Sequence, residues 1–261
     1  MSNKIIITRA DALATITLNR PQVMNALDWE MIRSLREACE TVEQDSAVRA
    51  VLLTGTEPAF CAGGDVMMFR ANLAQLPALI LEGARELHHA VLALRRMPKP
   101  VVAAVHGVAA GAGMSLLAAA DLAIAGHDAR FTMAYSSIGA SPVGGSTYFL
   151  PRLVGSRRAA ALTLLSDTID ANSAQSLGLI NFVVPADKLG EETQRLMQRL
   201  VSGPTLAYAE TKRLLNASAD HDLETHLEAE AQAIARCAGT ADLAEGVTAF
   251  VEKRASVFAG R

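Results

Sequence analysis

Apolar and polar positions in the first half of the chain repeat one order, in which a strand is followed by a helix. Residues 1–21 alternate apolar and polar side chains in the manner of two strands, and residues 47–55 form an apolar run typical of a buried strand. Between them, residues 30–45 place their apolar side chains on one helical face. Residues 99–107 and 121–126 predict two further strands. This alternation indicates the α/β class.

Two turns that follow buried strands carry small residues just before a predicted helix. They are AGG at 62–64 and GAG at 111–113. A glycine-rich turn that opens a helix aims backbone N–H groups at an anion. The segment from Gly107 to Ala120 contains no acid, no base and no metal ligand. We therefore predict that the two turns direct two backbone N–H groups at a single oxygen.

The C-terminal part has a different pattern, which is almost entirely helical from Glu191 onward. Residues 223–237 and 241–258 carry apolar stripes flanked by charged residues. Such stripes are typical of a solvated helical subdomain or of helices that pack on a partner chain. We therefore expect a core at 1–190 that holds the functional site, and a C-terminal helical region at 191–261 that serves oligomerisation and covers the site.

Composition narrows the class of protein. The 261 residues are 51% hydrophobic and 20% charged, which excludes a disordered chain. The net charge of −3 and the lack of long runs of like charge give no basic surface for nucleic acid. Cys39, Cys61 and Cys237 are too far apart for a disulfide framework or a paired zinc motif. No signal peptide is recognisable, and we expect a cytoplasmic protein.

One membrane alternative arises from residues 101–120, which contain no charged side chain over the length of a spanning helix. Three glycines and His106 interrupt this segment, and it begins with the β-branched run VVAAV. We therefore expect a buried strand–turn–helix and no membrane association.

Three familiar motifs are absent or incomplete. GAGMSL lacks the third glycine of a dinucleotide-binding turn, and no lysine follows it as a P-loop would require. SPVGGS does not place its serine between the glycines of a nucleophile elbow. Dinucleotide-dependent, nucleotide-hydrolysing and serine-hydrolase activities are therefore disfavoured.

Six segments together carry a family resemblance. They are LNRPQVMNAL (18–27), AFCAGGDV (59–66), KPVVAAVHGVAAGAGMSLLAAADLAIA (99–125), GGSTYFLPRLVG (144–155), SAQSLGLINFVV (173–184) and EGVTAFVEKR (245–254). In this order they resemble the crotonase family, the enoyl-CoA hydratases and isomerases, over the whole chain. The resemblance implies a crotonase-like spiral of repeated β-β-α units with a C-terminal helical trimerisation region, assembled as a homotrimer or a dimer of trimers. It also implies an acyl-CoA substrate, coenzyme A only as part of that substrate, and no metal or permanently bound cofactor.

Carried over residue by residue, the resemblance assigns two oxyanion-hole donors, the N–H groups of Gly64 and Ala112. They would stabilise the enolate of the thioester without any charged side chain, because main-chain donors at a helix N-terminus do not reorganise as charge develops. The positions that match coenzyme A contacts are Asn25, Ala26, Leu27, Ala62, Asp65 and Lys253. For Lys253 the alternative is a solvated lysine at a helix end.

The sequence departs from the family at the acid–base positions. Hydratases use two glutamates, and the matching residues here are Ser115 and Tyr135. The acid that isomerases often place after a proline, and the nucleophile of related dehalogenases, both match Val143. General acid–base catalysis contributes roughly 100- to 10,000-fold, so we expect hydration of a simple 2-enoyl-CoA to be impaired. His88 matches a histidine that activates water in those dehalogenases, which leaves His88, Ser115 and Tyr135 as candidate catalytic groups.

Three functions therefore remain open. The first is an acyl-CoA enzyme of the hydratase/isomerase type. The second is an enzyme of the same fold with another reaction, such as thioester hydrolysis, decarboxylation or carbon–carbon cleavage. The third is a catalytically silent coenzyme A-binding or assembly subunit.

Overall fold

A computed structural model describes residues 3–261 of the chain and contains two sheets. The main sheet has the strand order β1-β2-β3-β4-β6-β9 and is parallel except for the antiparallel β1–β2 pair; the smaller sheet has the order β5-β7-β8. The strands are β1 (Ile5–Ala10), β2 (Leu13–Leu18), β3 (Ala50–Gly55), β4 (Val101–Val105), β5 (Val108–Ala110), β6 (Leu122–Gly126), β7 (Arg130–Thr132), β8 (Ile169–Asp170) and β9 (Phe182–Val184).

Helices connect the strands and make up nearly all of the C-terminal quarter. They are α1 (Trp29–Gln44), α2 (Val66–Ala71), α3 (Leu76–Arg96), α4 (Ala112–Ala119), α5 (Ser146–Val154), α6 (Ser156–Leu165), α7 (Ala171–Ser176), α8 (Leu189–Val201), α9 (Thr205–Ala217), α10 (Leu223–Ala238) and α11 (Ala241–Glu252). An aspartate side chain caps the first turn of α1, α2, α7 and α10 by accepting from a backbone N–H.

Strand β4 shows how the core is divided between the two faces of the main sheet. All five of its residues are buried. Because side chains alternate along a strand, Val101, Ala103 and Val105 join the cluster that contains α1 and α3. Val102 and Ala104 pack on the opposite side, against α8. The strand therefore has no polar face, as expected for a parallel strand covered on both sides.

The predicted α/β alternation is confirmed. The apolar segment 101–120 folds as β4, β5 and α4, and no helix within residues 3–261 has the length and apolar character needed to cross a bilayer. The C-terminal part is helical, as predicted. The proposed boundary between residues 190 and 191 lies inside α8, which packs on β3, β4 and β6.

Candidate active site

The two glycine-rich turns lie side by side because the segments that precede them pair. Cys61 and Ala109 form a parallel bridge. The Cys61 N–H donates to the Val108 carbonyl at 3.0 Å, and the Ala110 N–H donates to the Cys61 carbonyl at 2.8 Å. The turn at 62–64 therefore continues directly alongside the N-terminus of α4.

Both turns depend on glycine. Gly63 has φ +97° and Gly111 has φ +49°, a region that other residues rarely adopt. A Cβ on Gly63 would lie 2.9 Å from the Ala110 carbonyl oxygen and 3.4 Å from the Ala112 nitrogen. The two backbones are therefore in direct contact, with no room for a side chain between them.

The N–H groups of Gly64 and Ala112 have no hydrogen-bond acceptor among residues 3–261. The parallel bridge between Leu27 and Gly64 uses the Gly63 carbonyl and the Asp65 N–H, which leaves the Gly64 N–H directed away from Leu27. Ala112 is the first residue of α4, where an N–H has no intrahelical acceptor. Both donors are thus available to a ligand.

These two residues line a cavity of about 190 Å³. Its wall contains aliphatic and aromatic side chains, with hydroxyl groups only from Tyr135 and Ser141. The lining residues are Leu27, Trp29, Ile32, Ala62, Gly63, Gly64, Val66, Phe69, Ile80, Gly83, Ala84, Leu87, Gly111, Ala112, Ala134, Tyr135, Ile138, Ala140, Ser141 and Val143. None of them is an acid, a base or a cysteine, so the cavity suits an uncharged, apolar group.

Ser115 and Tyr135 lie together next to this cavity. Ser115 is fully buried in the second turn of α4, and its Oγ donates to the Val143 carbonyl at 2.7 Å. The same Oγ lies 3.3 Å from the Tyr135 hydroxyl. Tyr135 lines the cavity, whereas Ser115 is outside the cavity wall and contacts the Tyr135 hydroxyl.

Two pKa shifts bear on the available chemistry. Burial raises the pKa of Tyr135 above its ordinary value, although the hydrogen bond with Ser115 acts in the opposite direction. Burial also raises the pKa of the Cys61 thiol to about 12. At neutral pH the phenol is therefore a neutral donor, and Cys61 is not a thiolate nucleophile.

The other predicted catalytic residue, His88, lies outside the cavity wall. Its exposed ring is on α3, and its Nε2 accepts from the Gly144 N–H at 3.3 Å. Its neighbour Leu87 is the residue that faces the cavity. The structure therefore brings Gly64, Ala112 and Tyr135 to the cavity, with Ser115 behind them, and leaves His88 at the surface.

The predicted coenzyme A positions fall into three groups. Leu27 and Ala62 line the cavity, and Ala26 is buried beside Leu27. Asn25 is fully buried, and its amide donates to the Thr56 and Ala59 carbonyls, which fixes the loop behind the wall. The third group, Asp65 and Lys253, does not line the cavity. Asp65 caps α2, and Lys253 is exposed at the end of α11.

A charged link that was not predicted from the sequence lies behind the cavity wall. The Arg20 guanidinium lies 3.3 Å from Asp28 and 3.1 Å from Asp65, which are the caps of α1 and α2. It holds together the starts of two helices that wall the cavity. An aspartate directly before a helical pattern is a cap signal, so Asp28 and Asp65 could have been assigned this role from sequence.

Trp29, Phe69 and Gly83 were also missed as lining residues. The signal available for Gly83 was a glycine in the middle of a helical pattern, which usually has a packing or functional reason. Within residues 3–261, no group of three histidine, cysteine, aspartate or glutamate side chains is placed to hold a metal ion.

Comparison with known proteins gives one consistent family. A family model described as enoyl-CoA hydratase/isomerase matches residues 8–261. The chain is 38% identical to the 1,2-epoxyphenylacetyl-CoA isomerase of Escherichia coli over 95% of each protein. It is 36% identical to the crotonyl-CoA hydratase of Syntrophomonas wolfei over 97% of each. An enoyl-CoA hydratase structure from a Polaromonas species superimposes with a TM-score of 0.92 at 33% identity, covering 97% of this chain and 99% of that one.

Proposed function

The chain belongs to the enoyl-CoA hydratase/isomerase family, and from that premise we propose that it stabilises the enolate of an acyl-CoA thioester at the backbone N–H groups of Gly64 and Ala112. The observation that carries the proposal is that these two donors border one apolar cavity and lack acceptors among the described residues. The hydrogen bonds from such fixed donors strengthen as negative charge develops on the oxygen, because the donors do not have to reorganise.

The proposal includes a restriction on the reaction. The cavity wall carries no carboxylate, and the positions that match the hydratase glutamates are Ser115 and Tyr135. We therefore expect only slow hydration of simple 2-enoyl-CoA thioesters, because water addition needs a base for the water and an acid for the α-carbon. The neutral Tyr135 hydroxyl can donate a hydrogen bond to the acyl group but cannot serve as a general base near neutral pH.

The reaction class that fits these groups is an isomerisation in which the substrate supplies its own reactive group. The Escherichia coli relative is named for such a substrate, the epoxide of phenylacetyl-CoA. Transfer of the α-proton to water or to a basic oxygen of the substrate leaves its electron pair as an enolate on the thioester oxygen, where the two N–H groups lie. Return of that pair toward carbon then shifts the double bond or opens the ring, whose oxygen takes up a proton. Three aromatic side chains, Trp29, Phe69 and Tyr135, line the cavity and suit a flat or unsaturated acyl group.

The coenzyme A contacts and the assembly complete the proposal. Asn25, Ala26, Leu27, Ala62, Asp65 and Lys253 are the proposed coenzyme A positions. A homotrimer or a dimer of trimers is supported by large apolar side chains on the outer faces of α10 and α11, such as Phe250, which is 85% exposed. We expect Lys253→Ala to weaken binding of free coenzyme A in a calorimetric titration, while turnover of bound substrate is unchanged. Sedimentation analysis tests the assembly.

The decisive experiment is incubation in D₂O with saturated, 2-enoyl, 3-enoyl and aryl-substituted acyl-CoA thioesters, followed by mass spectrometry. Deuterium at the α-carbon reports enolate formation even without net turnover. Exchange or rearrangement that disappears in Ala112→Pro supports the proposal. Thioester cleavage or loss of CO₂ would assign another reaction to the same site. Binding without any change in any thioester would identify a coenzyme A-binding subunit instead.

A further inference from the structure

Two aromatic rings form part of the wall of the acyl cavity. Trp29 is the first residue of α1 and Phe69 lies in α2. Their ring centroids are 5.9 Å apart at an interplanar angle of 32°. Both rings line the cavity together with Gly64, so their positions limit the space beside the Gly64 N–H.

Each ring occupies the space that a side chain would need at a glycine. A Cβ on Gly64 would lie 2.8 Å from Cζ of Phe69. A Cβ on Gly83 would lie 2.6 Å from Cε3 of Trp29 and closer still to Cζ3. Real Cβ atoms do not approach carbon atoms this closely, so the indole could not keep its position if residue 83 had any side chain.

Gly83 is unusual in its own helix. It lies near the middle of α3, a helix of 21 residues in which it is the sole glycine. Glycine is unfavourable in a helix interior, so local propensity does not account for it. The residues around it, Ile80, Ala84 and Leu87, line the cavity. The glycine therefore lies on the cavity face of α3, at the place where the indole rests.

The start of α1, which carries Trp29, is held firmly. Asp28 caps the helix by accepting from the Met31 N–H at 2.8 Å. Arg20 links this cap to Asp65, which caps the helix that carries Phe69. Because both helix starts are fixed, the backbone that carries the indole cannot shift freely, and the indole lies against Gly83.

We propose that Gly83 and Trp29 form a size filter for the acyl group. The glycine lets the indole lie back against α3, and the depth of that position sets the largest acyl group that reaches the N–H groups of Gly64 and Ala112. This inference rests on the proposed function, since it assumes that an acyl-CoA thioester occupies the cavity. Neither residue touches the reacting atoms, so both act by shaping the cavity.

The test measures binding rather than turnover. The chain has one tryptophan, so its fluorescence reports directly on Trp29. The probes are free coenzyme A and acetyl-, butyryl-, hexanoyl-, octanoyl- and phenylacetyl-CoA. They are titrated by calorimetry in every variant, and by tryptophan emission in the wild type and Gly83→Ala, which retain Trp29. The variants are Gly83→Ala, Trp29→Leu and the double variant Gly83→Ala with Trp29→Phe.

We expect Gly83→Ala to push the indole into the cavity. Affinity for the longer and ring-containing thioesters should then fall by roughly 10- to 200-fold, the range expected for a methylene that no longer fits, while acetyl-CoA and free coenzyme A bind as before. Trp29→Leu should extend the limit to longer chains. The double variant should regain the wild-type profile, because the smaller phenyl ring leaves room for the new methyl group.

The outcomes separate this inference from the proposed function. An equal loss of affinity for every thioester in Gly83→Ala, or an unchanged profile in both single variants, would overturn the size filter. If the wild-type protein binds none of the thioesters, the proposed function itself fails. Near-ultraviolet circular dichroism of each variant identifies a folding defect, and the double variant then carries the test.

Discussion

The Ser115 Oγ lies 3.3 Å from the Tyr135 hydroxyl, and both side chains are buried. By the family resemblance these positions match two hydratase glutamates, and we propose that a neutral pair replaces two carboxylates here. Ser115 also donates to the Val143 carbonyl, which ties the loop before α5 to α4. The pair therefore keeps this side of the cavity uncharged and shapes it.

Removing the Ser115 hydroxyl should raise the pKa of Tyr135 further. Burial already raises this pKa, and the hydrogen bond with Ser115 lowers it, so Ser115→Ala removes a lowering contribution. Tyrosinate absorbance followed from neutral to alkaline pH measures the shift, and subtraction of the Tyr135→Phe titration isolates this residue from Tyr148 and Tyr208. A lower pKa in Ser115→Ala would contradict the geometry described above.

The Ala112 N–H is testable without disturbing the helix it begins. Proline is tolerated at the first position of a helix, where the N–H has no helical acceptor. We expect Ala112→Pro to lower kcat by roughly 100- to 1,000-fold, about 3 kcal/mol, because one oxyanion donor is lost. Ala112→Gly keeps the N–H and serves as the matched control. Equal activity of the two variants in the deuterium-exchange assay would exclude this donor.

The parts of the site that are local in sequence could be predicted, and the parts that depend on distant contacts could not. The two glycine turns were recognisable because each follows a buried strand and precedes a helix. Their contact arises from the pairing of Cys61 with Ala109, which no local pattern contains. Gly83 and Trp29 are likewise brought together by the packing of α1 on α3, so their relation is visible only in three dimensions.

The shortest strands could not be predicted from the alternation of apolar and polar residues. Strands β8 and β9 have two and three residues, too few for an alternating pattern to be recognised. The spacing of a residue from a motif also did not predict which residue of a helix faces the cavity. The distance of His88 from a motif predicts a catalytic role for it, whereas the adjacent Leu87 is the residue that lines the cavity.

Arg20 should stabilise the fold more than an arginine in an exposed ion pair does. Its side chain and that of Asp65 are each 13% exposed, and it bridges the caps of α1 and α2. We expect Arg20→Met to lower the free energy of unfolding by about 3 kcal/mol, because two partly buried carboxylates lose a partner. Arg254→Met, which breaks the exposed pair with Glu245, is the control and should have a much smaller effect. Urea titrations at pH 7 compare them, and equal losses would refute a special role for Arg20.

Glu210 should govern part of the acid sensitivity of the C-terminal helices. Its carboxylate accepts from Arg236 on α10 and Arg213 on its own helix, and chiefly the Arg236 contact lowers its pKa to about 2. A carboxylate with a lowered pKa stabilises the fold above its unfolded pKa, and this contribution is lost as the pH falls from about 4.5 toward 2. Solvent screening keeps the effect to about 1 kcal/mol or less. Glu210→Gln should therefore lose less stability than wild type between pH 7 and pH 3 in urea titrations. Glu228→Gln controls for removal of a helix-surface charge, and an identical acid loss in wild type and Glu210→Gln would rule out the link.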